Sequence, residues 1–159
     1  MNYHKPPGIR LLYVICLFAS ISLKAQEKAP LREPDNNKPK LFNSLPASVE
    51  VAEQDLLNLL NPSTQRSQEI KLPLASGKIS PFTGKIVYAL SQDQQRTVTI
   101  QSTSFNGAVL SLSTITKTDG TVSYVGRIFS YQHGDALELQ QKDNHYYWVK
   151  KNLNEMMAE

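Results

Sequence analysis

Two histidines, His133 and His145, are the readiest acid–base or metal-binding groups beyond the N-terminal segment. His133 belongs to His133-Gly134-Asp135, which would set a base next to an orienting carboxylate. Neighbours across a glycine in a turn rarely aim at each other, and the sequence nominates no nucleophile for them. The plainer reading is a turn whose Asp135 carboxylate caps nearby backbone amides. A side-chain metal site would need a third ligand from Asp135, Glu138 or Asp143, and none falls at a diagnostic spacing. The sequence has no His-Glu-x-x-His, no glycine-rich phosphate loop and no Gly-x-Ser-x-Gly. The expectation is a non-enzymatic chain without metal or other cofactor.

Recognition chemistry has more to draw on. His145-Tyr146-Tyr147-Trp148 is an aromatic run that could stack a sugar or an extended peptide, with Tyr124 as a further ring. Such residues more often fill half-buried strand positions and sheet rims. Arg127 is expected to face solvent or to pair with a strand neighbour such as Glu138. Tyr124, Arg127, His133, Asp135, Tyr146 and Trp148 are therefore the candidate contacts to a ligand or partner.

These residues must be carried by strands. Residues 97–139 alternate apolar and polar side chains, punctuated by Asn106-Gly107, Asp119-Gly120 and His133-Gly134-Asp135. Asn-Gly and Asp-Gly readily adopt positive φ at both central positions of a hairpin turn, so the stretch predicts an antiparallel meander. Further strands are expected at 69–74, where Pro73 confines the segment to an edge, at 85–91 with Ile86, Tyr88 and Leu90 on one face, and at 145–150. Gly126, mid-strand, reads as a bulge or sharp bend. Ser48 or Val51 opens a short helix over 52–60, closed by Asn61-Pro62, whose leucines must dock on the sheet. The fold class expected is mainly β: about seven antiparallel strands in a small meander-like barrel or strongly curved sheet, with a short N-terminal helix packed on it. The pattern leaves barrel and sandwich unseparated.

The front of the chain reads as an address. Lys5 and Arg10 precede an apolar run from Leu11 to Leu23, followed by Lys24-Ala25-Gln26. That run is about 13 residues, short of the ~20 that span a bilayer, so residues 1–26 are expected to be a secretory signal peptide cut after Ala25 or Gln26. A retained anchor is the competing reading. The single cysteine, Cys16, lies inside this run, preceded by Ile15 rather than the small residue of a lipoprotein signal. The mature chain is therefore cysteine-free and must hold together without disulfides. The whole chain carries a net charge of +3, and the signal removes Lys5, Arg10 and Lys24, leaving 14 basic against 14 acidic residues. Nothing basic remains to favour nucleic acid. Residues 27–40, with Pro30, Pro34 and Pro39, read as a flexible linker, and 41–159 as one β-rich domain.

Several runs resemble a known group. Phe42-x-x-Leu45-Pro46, Leu56-Leu57 and Phe82-x-Gly84-Lys85-Ile86-Val87 are followed by Ser102-x-x-Phe105-Asn106-Gly107-Ala108. Then come Asp119-Gly120-Thr121-x-x-Tyr124-x-Gly126-Arg127-Ile128 and His133-Gly134-Asp135-Ala136-x-x-Leu139. Together they resemble an uncharacterised β-rich domain of secreted Bacteroidota proteins, similar to the region ahead of the catalytic domain in some of their secreted zinc metallopeptidases. The shared positions are turn and core residues, so the resemblance implies a fold and no catalytic residue. For a chain without a zinc-peptidase motif it implies a stand-alone accessory or propeptide-like module. The expectation is an exported interaction domain, periplasmic or secreted, whose partner is another exported protein such as a peptidase. Its docking would use a sheet edge or the aromatic final hairpin. The alternative is a small-ligand or glycan-binding barrel using Tyr124, Tyr146 and Trp148.

Overall fold

The computed structural model describes residues 35, 37–61, 63–74, 81–92 and 95–158. The expected signal peptide and most of the expected linker lie outside them. Four turns among the described residues set the meander. Asp143 and Asn144 both have positive φ (50° and 62°), forming the two-residue turn whose twist suits a hairpin. At Asn106-Gly107 and Asp119-Gly120 only the glycines do, at 68° and 82°. These two loops are longer than two residues, so one left-handed residue is enough to return the chain. In the second, Gly120 N–H donates to the Lys117 carbonyl and Lys117 N–H to the Thr121 carbonyl, while Asp119 accepts from the Thr121 amide at 2.9 Å. The fourth turn is His133-Gly134-Asp135.

Between the turns run eight antiparallel strands: β1 (Ser48–Val51), β2 (Glu69–Leu72), β3 (Phe82–Gln92), β4 (Gln95–Ser102), β5 (Val109–Thr116), β6 (Val122–Phe129), β7 (Asp135–Lys142) and β8 (His145–Asn152). Their order in the single sheet is β1-β8-β7-β6-β5-β4-β3-β2. The first strand closes against the last, and β1 and β2 end as the two edges, so the sheet is a curled half-barrel and neither a closed barrel nor a two-sheet sandwich. The eighth strand is a correction to the sequence reading. Ser48–Val51 forms no helical turn but pairs with Val149–Tyr146 of β8, which buries Val49 and Val51.

Helix α1 (Glu53–Leu59) follows, buries Leu56 and Leu59, and carries Glu53 and Asp55 in its first turn, where the helix dipole favours acids. A short C-terminal helix, α2 (Leu153–Ala158), lies on the opposite face, where Leu153 and Met156 pack with Ala136 and Phe129.

The inner face is the core. One row crosses five strands as Ile86–Ile100–Leu110–Ile128–Leu137, each 0–1% exposed. Each such side chain is worth about 1.5–3 kcal/mol of burial. Tyr88 and Leu90 depart from the expected alternation. A register shift between Ile86 and Tyr88 inserts Val87 as a bulge, so Ile86 stays inside while Tyr88 and Leu90 pair with Thr99 and Thr97 on the outer face. Gly126, by contrast, is no bulge. Its pairing to Leu112 is continuous. A Cβ there would meet Trp148 Cη2 at 2.9 Å and Leu112 Cδ1 at 3.1 Å, so the glycine makes room for the indole.

Candidate functional site

The His133 turn resolves into local hydrogen bonding. Asp135 is buried and its two oxygens accept the Leu41 and Phe42 amides at 2.6 and 2.9 Å. It thus caps backbone amides, but not the nearby ones that the sequence reading expected: they lie more than ninety residues earlier in the chain. The segment before it follows: Gly134 N–H donates to the Pro39 carbonyl, and Lys38 Nζ donates to the Tyr131 carbonyl at 2.9 Å. Residues 38–40, read as linker, lie along this turn.

His133 faces Ser130 instead of Asp135, with Nδ1 3.0 Å from Oγ. The sequence reading missed this pair, although Ser130-x-x-His133 is the spacing at which a turn serine meets its third neighbour. Ser130 is 1% exposed and its Oγ also accepts the Gln132 amide, so the hydroxyl serves the turn and is closed to a substrate. Among the described residues, no three His, Cys, Asp or Glu side chains converge as metal ligands.

The aromatic candidates are in the core. Trp148 is fully buried and Tyr146 and Tyr124 nearly so, the two tyrosines meeting edge to face with ring centroids 5.2 Å apart. Burial pushes the Tyr124 phenol above its ordinary value, and the negative charge of Glu53 adds to the shift. Burial also raises Tyr146. The final hairpin therefore shows solvent little of its aromatic run. His145 is exposed and sits 2.8 Å from Glu50. Arg127 is exposed, opposite Glu138 in the register, with its guanidinium 3.9 Å from that carboxylate. Glu138 also meets Lys151 at 3.8 Å. Such surface pairs are worth about 0–1 kcal/mol each.

Of the six candidates, then, His133 and Asp135 share a turn, Tyr124, Tyr146 and Trp148 belong to the core, and Arg127 stands alone on the outer face. That outer face carries a feature the sequence did not show. One row runs Tyr88–Thr99–Ser111–Arg127–Glu138, and the next runs Leu90–Thr97–Ser113–Val125. Half-buried hydroxyls form the floor, with Thr97 Oγ1 and Ser113 Oγ 2.9 Å apart. Tyr88, Leu90 and Val125 stand out from it, 37–49% exposed. The same face carries a shallow cavity of about 570 Å³ over β5 and β6, whose lining includes Thr99, Ser111, Val125, Arg127 and Phe129.

On the inner side, a second pocket of about 500 Å³ opens between α1 and the β5–β6 hairpin. Leu57, Leu60, Val122 and Tyr124 line it together with Arg96, Thr114 and Thr116. Thr114 accepts the Arg96 amide at 2.9 Å. Thr116 Oγ1 is buried with no hydrogen-bond partner among the described residues, which costs about 1–3 kcal/mol.

The fold and these surfaces define a mainly β protein built on a curled, open antiparallel sheet. No protein-family model, curated protein or solved structure matches the chain. No helix among the described residues is long and apolar enough to cross a membrane.

Proposed function

We propose that the chain is an exported, non-catalytic interaction domain that receives a protein partner on the outer face of its sheet. The observation that carries this reading is the pair of cross-strand rows in which Tyr88, Leu90 and Val125 rise from a Thr–Ser floor. A β-bulge places two of the three there, and bulges re-aim side chains. Aromatic and aliphatic anchors beside small hydroxyls give a partner apolar area together with hydrogen-bonding groups. Docking through the final hairpin is less favoured, because Tyr146 and Trp148 are committed to the core. Both edge strands are only four residues long, which offers little ladder to an added strand. An exported peptidase is the partner class put forward by the sequence resemblance.

The test is capture from periplasmic and secreted fractions with tagged wild-type chain and with a Tyr88→Ser/Val125→Ser variant. A stoichiometric protein retained by the wild type and lost by the variant is expected, and its peptidase activity can then be assayed with and without the domain. Equal retention by both baits, or none by either, would overturn the reading.

A further inference from the structure

The pocket between α1 and the β5–β6 hairpin is independent of the outer face and has a different chemistry. Its walls are apolar: Leu57, Leu60, Val122 and the ring of Tyr124. Leu57 and Val122 are 43% and 52% exposed, unusually open for aliphatic residues beside a cavity. Its volume falls in the ~300–1,000 Å³ range of small-molecule sites.

The polar side chains in the lining are few: Arg96, Thr114 and Thr116. Arg96 lines the pocket, is only partly exposed, and makes no salt bridge among the described residues. Its charge reaches Tyr124, where it opposes the effect of burial on the phenol. Thr116 adds a buried hydroxyl with no partner among the described residues. A guanidinium without a salt bridge and a hydroxyl without a hydrogen bond among the described residues, above an aliphatic wall, match one ligand type.

We infer that this pocket binds a small amphiphilic carboxylate, with its carboxylate on Arg96 and the Thr116 hydroxyl and its alkyl chain along Leu57, Leu60 and Val122. Arginine is suited to the headgroup because its planar fork meets a carboxylate through two parallel hydrogen bonds. The hydrophobic term then scales with tail length, so acetate and a medium-chain acid should differ widely.

Octanoate is the probe, titrated calorimetrically into the full chain produced in an export-competent host, with amide chemical shifts mapping its position. Saturable binding is expected, with shifts confined to α1, β5, β6 and the Arg96 end of β4. 1-Octanol and acetate should each bind at least about tenfold more weakly, and Arg96→Gln should weaken octanoate by about tenfold or more. Should that variant fail to fold, Thr116→Val serves, since it removes only the unpartnered hydroxyl; a loss of about threefold or more is expected. Absence of saturation, equal binding by octanol, an unchanged affinity in the variant that folds, or shifts on the outer face would each overturn the assignment.

Discussion

Replacing Gly126 with alanine tests how the core is packed. The added methyl would sit 2.9 Å from Trp148 Cη2, 3.1 Å from Leu112 Cδ1 and 3.3 Å from the Ser111 carbonyl oxygen. Both side chains are fully buried, so neither can swing into solvent. Overpacking of this kind costs about 1–3 kcal/mol. Against it stands a gain of about 0.4–1 kcal/mol, because alanine restricts the unfolded chain and Gly126 does not need positive φ. The net expectation is a loss of about 1–2 kcal/mol, a measurable part of the ~5–15 kcal/mol typical of a domain. Trp148→Phe removes the ring edge that collides. In that background Gly126→Ala should be neutral or stabilising, giving a coupling of about 1–3 kcal/mol in a double-mutant cycle. Urea denaturation must be followed by far-UV circular dichroism, since Trp148 is the chain's only tryptophan. An equal cost of Gly126→Ala in both backgrounds would refute the claim that the glycine exists for the indole.

Asp135→Asn leaves one carbonyl oxygen for two amides that now have one each, and should destabilise the domain by about 1–3 kcal/mol. Faster hydrogen exchange at Leu41 or Phe42 would localise the loss. The phenols of Tyr124 and Tyr146 are raised above 10.0 in the folded chain, so folding favours their neutral forms. Their contribution is fully present below pH 10 and is lost as pH climbs through the raised folded values. A Tyr124→Phe/Tyr146→Phe chain should therefore lose less stability than wild type in urea melts between about pH 9.5 and 11.5. On the outer face, Tyr88→Ser and Val125→Ser should shift the urea midpoint little, by about 0.5 kcal/mol or less each, because both side chains are largely solvated. A larger shift would place them in a packed layer and remove the proposed docking surface.

The strand meander was legible because its signals are local. Period-two alternation marked β4 to β8, and glycine or short polar pairs marked the turns. Other features are long-range, and no window of sequence contains them. Ser48–Val51 becomes a strand because β8, about one hundred residues later, offers an unpaired edge and a place for Val49 beside Trp148. The bulge at Val87 is decided by its partner strand: Ile86 must face Ile100, while Ala89 faces Val98, and one extra residue reconciles the two. Tyr124, Tyr146 and Trp148 were recognisable as an aromatic set, but an aromatic strand residue looks the same whether it stacks a ligand or fills a core. Only the curl of the sheet, which brings Trp148 over Gly126, separates the two.

The sequence by itself determined the β character and the turn positions, because backbone propensity and side-chain alternation act over a few residues. The tertiary structure alone decided that the sheet stays open, that Tyr88 and Leu90 face outward, and that Arg96 lines the pocket between α1 and the β5–β6 hairpin. These depend on which strands meet and in what register, and a shift of one residue moves every following side chain to the other face.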